Sequence, residues 1–129
     1  MLKVLIADDE EKICQLIIKL INWEEMGLKI AATASNGIEA LEQAKICKPE
    51  ILITDIRMPG IDGMELIRKV KEKLPDTEII IIRGYRHFEY AQTAIRYGVR
   101  NYLLKPIKKE ELRDTLQRSQ IFTGRKMNS

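Results

Sequence analysis

Short apolar runs alternate along the chain with longer amphipathic segments. The runs are Leu2–Ala7, Leu28–Thr33, Ile51–Thr54, Glu78–Ile82 and Val99–Leu104, and Ile79-Ile80-Ile81-Ile82 is the clearest of them. Apolar blocks of about 4–8 residues without polar alternation suit parallel strands buried on both faces. Between the runs, apolar residues recur at helical spacing. Ile13, Leu16, Ile17, Leu20 and Ile21 make one stripe. Ala40, Leu41 and Ala44 make a second after Asn36-Gly37. Leu66, Ile67 and Val70 make a third after Asp62-Gly63, where Asp62 can cap the helix. Ala91, Ala94 and Ile95 precede Gly98, a helix stop. Leu112 and Leu116 mark the least regular helix, after Lys105-Pro106. Strands that are each followed by a helix predict repeated βα units, because parallel neighbours need long crossovers. No linker composition interrupts residues 1–118, which read as one α/β domain. Residues 119–129 read as a tail without pattern: frayed, the start of a linker, or vector-derived.

Composition narrows the class. A chain of 129 residues is close to one domain in size, and 45% hydrophobic residues can fill a core. Basic residues number 22 and acidic residues 19, so a net +3 offers no electrostatic footprint for nucleic acid or a membrane surface. Cys14 and Cys47 are too few for a disulfide scaffold and lack metal-ligand spacing; lying on or beside helical stripes, they read as small buried apolar groups. A single histidine, His87, argues against a His/Cys zinc centre and reads as an exposed helix residue. Trp23 is expected to pack at the start of strand two, and the Arg68–Lys73 run to form a solvated helix face. Val4–Ala7 is cut off by Asp8-Asp9-Glu10, so no secretory segment is read there. The densest apolar stretch, Leu16–Ile21, contains Lys19 and falls far short of the roughly 20 residues of a membrane span. A cytoplasmic setting is expected.

Ligands of open α/β sheets bind beyond the carboxyl ends of the strands. At those ends stand Asp8-Asp9, Asp55, Arg83-Gly84 and Lys105-Pro106. Carboxylates gathered at one edge repel each other unless a cation lies between them. Mg²⁺ suits the set, since it takes oxygen ligands from one or two carboxylates and keeps waters for a phosphate. Lys105 adds a compact charge able to meet a phosphoryl oxygen. A carboxylate in such company can act as a nucleophile towards phosphorus. Asp55 is the best placed, between a buried strand and the turn-forming Met58-Pro59-Gly60-Ile61-Asp62-Gly63.

Asp8-Asp9, the segment Asp55-Ile56-Arg57-Met58-Pro59-x-x-Asp62-Gly63 and Tyr102-Leu103-Leu104-Lys105-Pro106 together resemble the receiver domain of two-component response regulators. The resemblance covers about residues 2–118. It implies a flavodoxin-like (βα)5 doubly wound fold, a five-stranded parallel sheet in the order 2-1-3-4-5. It implies that Asp55 accepts a phosphoryl group from a sensor histidine kinase, and that Lys105 contacts the phosphate. Mg²⁺ is implied on Asp8, Asp9, Asp55 and the backbone carbonyl of Arg57. Such a domain is a signalling module rather than an enzyme. Asn22-Trp23-Glu24-Glu25-Met26-Gly27-Leu28, Ser35-Asn36-Gly37 and Gly84-Tyr85-x-x-Phe88-Glu89-Tyr90-Ala91 resemble, more narrowly, receivers that precede an AraC-type DNA-binding domain. DNA would then be reached only through an output domain that these residues do not contain. The aromatic-rich last third, including Tyr85, Phe88, Tyr90, Tyr97 and Tyr102, is implied to carry a face for homodimer or effector contacts between the fourth and fifth helices.

One position departs from the family pattern. Where receivers carry Ser or Thr before a small residue at the end of strand four, this chain has Arg83 before Gly84. In the family that hydroxyl bonds the phosphoryl group and lets an aromatic switch residue, here Tyr102, turn inward. Two outcomes are open for Arg83: it swings out to solvent, or its guanidinium pairs with Asp55 and competes with Mg²⁺. The alternative function that follows is a pseudo-receiver, an interaction module whose phosphorylation-dependent switching is impaired by Arg83. A Mg²⁺-dependent phosphohydrolase fits less well, because Asp8-Asp9 is not an Asp-x-Asp pair and the chain is too short to add a cap.

Overall fold

The apolar runs pair into a five-stranded, all-parallel sheet in the order β2-β1-β3-β4-β5, in a computed structural model that describes residues 1–83, 96–99 and 101–128. The strands are β1 (Leu2–Ala7), β2 (Leu28–Ala34), β3 (Ile51–Asp55), β4 (Glu78–Arg83) and β5 (Asn101–Leu104). This is the flavodoxin-like order expected. The register runs Ala7 beside Thr54, Asp55 beside Ile82, and Arg83 beside Leu104, which brings the strand ends to one edge.

Alternation along each strand divides the core into two layers. Val4, Ile6, Ile51, Ile53, Ile80, Ile82 and Leu103 face one side. There they meet Cys14, Ile17 and Ile21 from the α1 side (α1, Glu11–Leu20) and Leu112 and Leu116 of the C-terminal helix (Lys109–Asn128). Leu5, Ala7, Leu52, Ile79 and Ile81 face the other side, against Ala40 and Ala44 of α2 (Gly37–Cys47) and Leu66, Ile67 and Val70 of α3 (Gly63–Lys73). Both layers are needed because every residue of β3 is buried. At roughly 2 kcal/mol for each fully buried aliphatic side chain, the unalternating runs are what drive the sheet into the middle of the domain.

Local chemistry sets the helix starts. The Asn36 side chain accepts from the Glu39 amide at 2.8 Å, and Asp62 accepts from the Glu65 amide at 2.9 Å. Each satisfies one of the donors a helix N-terminus leaves open. Trp23 is buried, its indole N–H donating to the Ile18 carbonyl at 3.1 Å, as its place before β2 predicts. Cys14 is buried and Cys47 half-buried, both as free thiols. In the Arg68–Lys73 run, Val70 is in the core while Arg68 pairs with Glu65 and Glu72, so the run is a helix face rather than a basic patch. Gly98 has φ +77°, in keeping with a helix stop. The predicted helix over Ala91–Ile95, and His87, Tyr85, Phe88 and Tyr90, lie outside the described residues.

One expectation is corrected: β5 begins at Asn101 rather than Val99. The last helix runs unbroken through residue 118 to Asn128, so residues 119–128, which show no apolar pattern, are helical. That helix packs through hydroxyls where an apolar search finds nothing. Thr115, Ser119 and Thr123, four apart, are all buried. Ser119 Oγ donates to the Thr115 carbonyl and Thr123 Oγ1 to the Ser119 carbonyl, each at 3.0 Å, so the hydroxyls are satisfied within the helix. Asn101 Nδ2 donates to Ser119 Oγ at 3.2 Å, and Gln120 Nε2 to the Met26 carbonyl at 2.6 Å, fastening the helix to β5 and to the turn before β2. Among the described residues no helix is long and apolar enough to cross a membrane.

Candidate functional site

The order of the sheet reverses between β1 and β3, and Asp8 and Asp55 stand at the carboxyl ends of those two strands. That crevice is where an open α/β sheet binds its ligand. Asp55 is almost wholly buried; its Oδ1 accepts from the Ile56 amide at 2.7 Å and its Oδ2 from Lys105 Nζ at 3.1 Å. Lys105, just past β5, also lies 3.6 Å from Asp8 Oδ2 and 3.9 Å from Glu10 Oε1. The Lys105–Pro106 peptide bond is cis. Burial pulls the Lys105 pKa down, but the hydrogen bond to Asp55 and the charges of Asp55, Asp8 and Glu10 outweigh it and hold the ammonium above its usual range. The lysine is therefore a permanent cation among three carboxylates.

Asp8 is completely buried. Its Oδ1 accepts from the Glu10 amide at 2.8 Å, but its Oδ2 is buried with no hydrogen-bond partner among the described residues. Burial pushes its pKa up to about 6, the Glu10 amide opposing and the Asp55 charge adding to the rise. Carboxylate oxygens of Asp8, Asp9 and Glu10 can lie within 4.8 Å of one another. An orphaned, charged oxygen beside two exposed carboxylates and Asp55 is the donor set of a hard dication, so the residues present fit Mg²⁺. Glu10 was not singled out from the sequence as part of this set; its adjacency to Asp8-Asp9 is the signal that could have found it. Arg57, implied as a carbonyl ligand, follows Ile56 in the loop after β3, with its side chain exposed.

Two helix starts hold the loop that follows Asp55. The Gly63 amide donates to the Ile56 carbonyl at 2.6 Å, and a Cβ on Gly63 would collide with the Asp55 carbonyl. The Gly37 amide donates to the Pro59 carbonyl at 3.2 Å, and a Cβ there would collide with the Ile61 carbonyl. Only glycine admits such backbone approaches. These contacts between α2, α3 and the loop are invisible in the sequence pattern.

Arg83 takes neither course expected of it. Its guanidinium carbon lies 4.8 Å from the centroid of the Tyr102 ring, a cation–π stack. Among the described residues its Nε and Nη1 are buried with no hydrogen-bond partner. Among the described residues Arg83 forms no ion pair with Asp55, whose Oδ2 is engaged by Lys105 instead. Burial raises the Tyr102 phenol's pKa and the Arg83 charge opposes the rise. The structure thus brings Asp8, Asp55 and Lys105 into one contact set, with Asp9 at its rim, and joins Arg83 to Tyr102 beside it.

Residues 4–117 match the family model of the response regulator receiver domain. The chain belongs to that family. It is 43% identical over 117 residues to the transcriptional regulatory protein YesN of Bacillus subtilis, covering 91% of this chain and 32% of that protein. It is 38% identical over 118 residues to the transcriptional regulatory protein HptR of Staphylococcus aureus, covering 92% and 46%. The chain therefore spans about a third to just under half the length of these relatives. Among solved structures it is similar to the receiver domain of AraT, a response regulator from Geobacillus stearothermophilus, with TM-score 0.93, 40% identity and 98% of each chain covered. It is also similar to a two-component transcriptional regulator AraC from Clostridium phytofermentans, with TM-score 0.93, 33% identity and both chains fully covered. Both the family and the narrower likeness to receivers of AraC-type regulators are borne out. The receiver is a signalling module of two-component response regulators.

Proposed function

We propose that Asp55 is the phosphoryl acceptor of this receiver and that a sensor histidine kinase is the donor. The observation that carries the reading is the Lys105 ammonium held 3.1 Å from a buried Asp55 carboxylate, beside the orphaned oxygen of Asp8. An Asp55 oxygen forms a bond to phosphorus as the phosphorus–nitrogen bond of the kinase's phosphohistidine breaks. The electron pair of that bond returns to the imidazole nitrogen, and the phosphoryl group ends as an acyl phosphate. The loop contacts of Gly63 and Gly37 hold the carboxylate in place, so the attack needs little reorganisation. Lys105 stays protonated and faces the charge that builds on the phosphoryl oxygens. Mg²⁺, which Asp8, Asp9, Asp55 and the Arg57 carbonyl would hold, supplies neutralisation of the phosphoryl charge when bound.

The acyl phosphate then biases a conformational equilibrium rather than feeding a reaction cycle, which is signalling and not enzymatic turnover. Arg83 and Tyr102 form the switch beside the acceptor, and the face between the fourth predicted helix and the C-terminal helix supplies homodimer contacts. In a longer regulator DNA would be engaged by an output domain beyond the receiver, in the cytoplasm. The test is intact-protein mass spectrometry after incubation with Mg²⁺ and acetyl phosphate, with Asp55→Asn alongside. A single phosphoryl adduct in the wild type that disappears in Asp55→Asn is expected, and chelation of Mg²⁺ abolishes it. An adduct that survives Asp55→Asn, or none in the wild type, overturns the reading.

A further inference from the structure

Arg83 ends β4 next to the strand that carries Asp55. The register sets Ile82 beside Asp55, so Arg83 stands one residue further towards the carboxyl edge. Strands about 4.8 Å apart that rise about 3.3 Å per residue place its Cα roughly 6 Å from that of Asp55. An arginine side chain spans such a gap. Alternation with Ile79 and Ile81 puts Arg83 on the face where Tyr102 packs, and there the guanidinium stacks on the ring.

The stack leaves something open. Arginine carries five donors in a rigid fork, and two of the nitrogens, Nε and Nη1, are buried without a hydrogen-bond partner among the described residues. Buried unmet donors are unfavourable, and a cation–π contact offsets only part of the cost. An edge of the guanidinium with both Nε and an Nη open is the geometry that grips a phosphate in two parallel hydrogen bonds. Without a phosphoryl group both oxygens of Asp55 already have a donor, the Ile56 amide on Oδ1 and Lys105 on Oδ2. A phosphoryl group carries about 1.5–2 negative charges in place of the single carboxylate charge it consumes, and brings three strong acceptor oxygens. One ammonium does not supply donors to all of them.

We propose that Arg83 is the phosphoryl-binding group of the switch. It stacks on Tyr102 while Asp55 is unmodified, and it donates Nε–H and Nη1–H to phosphoryl oxygens once Asp55 is modified. Alternation sets Asp55 with Ile51 and Ile53, and Arg83 with Ile79, Ile81 and Tyr102 on the other face. Reaching the phosphoryl group therefore takes the guanidinium off the Tyr102 ring and frees the ring to repack. A phosphoryl group shifts this equilibrium because it interacts with only one of the two arrangements. The proposal rests on Asp55 being the acceptor.

The test uses beryllium fluoride with Mg²⁺ as the phosphoryl mimic, titrated by calorimetry into wild type, Arg83→Lys and Arg83→Met. Two charge-assisted hydrogen bonds predict binding about 10- to 100-fold weaker in Arg83→Met, with Arg83→Lys between, and equal affinity of all three for Mg²⁺ alone. A second readout is the Arg83 Nε–H resonance, assigned by its loss in Arg83→Lys, which should move downfield on adding the mimic. Equal or tighter mimic binding by Arg83→Met, or an Nε–H signal that does not move, overturns the proposal. Acetyl phosphate separates the two layers of the argument. An adduct on wild-type Asp55 with no effect of Arg83 sinks only the role of Arg83, whereas no adduct sinks the acceptor reading and this proposal with it.

Discussion

At the amino end of the sheet, Thr77 gives its hydroxyl hydrogen to the Pro49 carbonyl at 2.8 Å, Glu50 Oε2 accepts from the Lys3 amide at 2.6 Å, and Glu78 is not without a partner. At the carboxyl end, Asp8 Oδ2 and the Nε and Nη1 of Arg83 are buried with none of their hydrogen bonds made. Among the described residues these three are the buried side-chain atoms in that condition. Depth does not explain the contrast, since Thr77 is 3% exposed and Asp8 0%. Nor does chemistry, since carboxylates stand at both ends. Native proteins rarely leave buried polar atoms unpaired, and where they do a ligand is a common reason. The amino end completes the fold with its polar groups, while the carboxyl end leaves three of its buried polar atoms open, where a ligand would meet them.

If the carboxyl end leaves part of its side-chain hydrogen bonding unmade, backbone contacts must carry more of its shape. Gly63→Ala tests this most severely, because the new Cβ meets the Asp55 carbonyl and the Ile56 Cα, neither of which can turn away as a side chain would. A loss of about 3 kcal/mol in urea unfolding is expected, the upper range for overpacking a closed site. Among molecules still folded, phosphoryl uptake from acetyl phosphate should also slow, because the carboxylate is displaced with its carbonyl. A variant as stable as the wild type that accepts phosphate at the same rate would show that the loop is not held by backbone contact.

Asp8 gives the contrast a sign. Its pKa is raised to about 6 by burial, against 3.8 for an ordinary aspartate. The folded state therefore binds a proton more readily than the unfolded one, and stability falls as pH rises from about 4 to 6. Above pH 6 the metal-free protein carries the full penalty, at most about 3 kcal/mol at 1.36 kcal/mol per pH unit. Asp8→Asn in a chelating buffer should be more stable than wild type at pH 8 by about 1–3 kcal/mol, and the gain should vanish near pH 4. Saturating Mg²⁺ should stabilise the wild type and leave the variant little changed, by ordinary linkage. A variant less stable than wild type at pH 8 without metal would mean that the buried carboxylate is not the liability its orphaned oxygen suggests.

How much of this was legible depends on what each contact is made of. Ile79-Ile80-Ile81-Ile82 announces a doubly covered strand because burial on both faces leaves no polar position. Asp8, Asp55 and Lys105 could be placed at one edge because parallel strands end on the same side. The helical course of residues 119–128 was not legible because the buried positions described there are Ser119 and Thr123, whose hydroxyls are masked by bonds to carbonyls one turn back. A search for apolar spacing passes over such a stripe. The glycine contacts that hold the Asp55 loop arise between segments far apart in sequence, and no local pattern encodes them. Arg83 was visible as a departure from the family pattern, but the choice between solvent, carboxylate and aromatic ring is made by packing. The ring that won belongs to the neighbouring strand, paired through Arg83 and Leu104.

The smallest expected effect tests the other half of the contrast. Thr77→Val keeps the shape of the side chain and removes its hydroxyl, leaving the Pro49 carbonyl without that donor. A buried hydrogen bond lost in this way costs about 1–2 kcal/mol. The change should appear in the midpoint of urea unfolding with an unaltered slope, because the surface exposed on unfolding is the same. Mg²⁺ affinity, the rate of Asp55 phosphorylation and the response to beryllium fluoride should all match the wild type. That pattern, stability lost and ligand response kept, is the reverse of Asp8→Asn, where stability rises and ligand response is lost. If Thr77→Val also weakened the response to the phosphoryl mimic, the two ends of the sheet would be coupled through β3 and β4. Their polar groups would then have to be treated as one network rather than as a finished end and an open one.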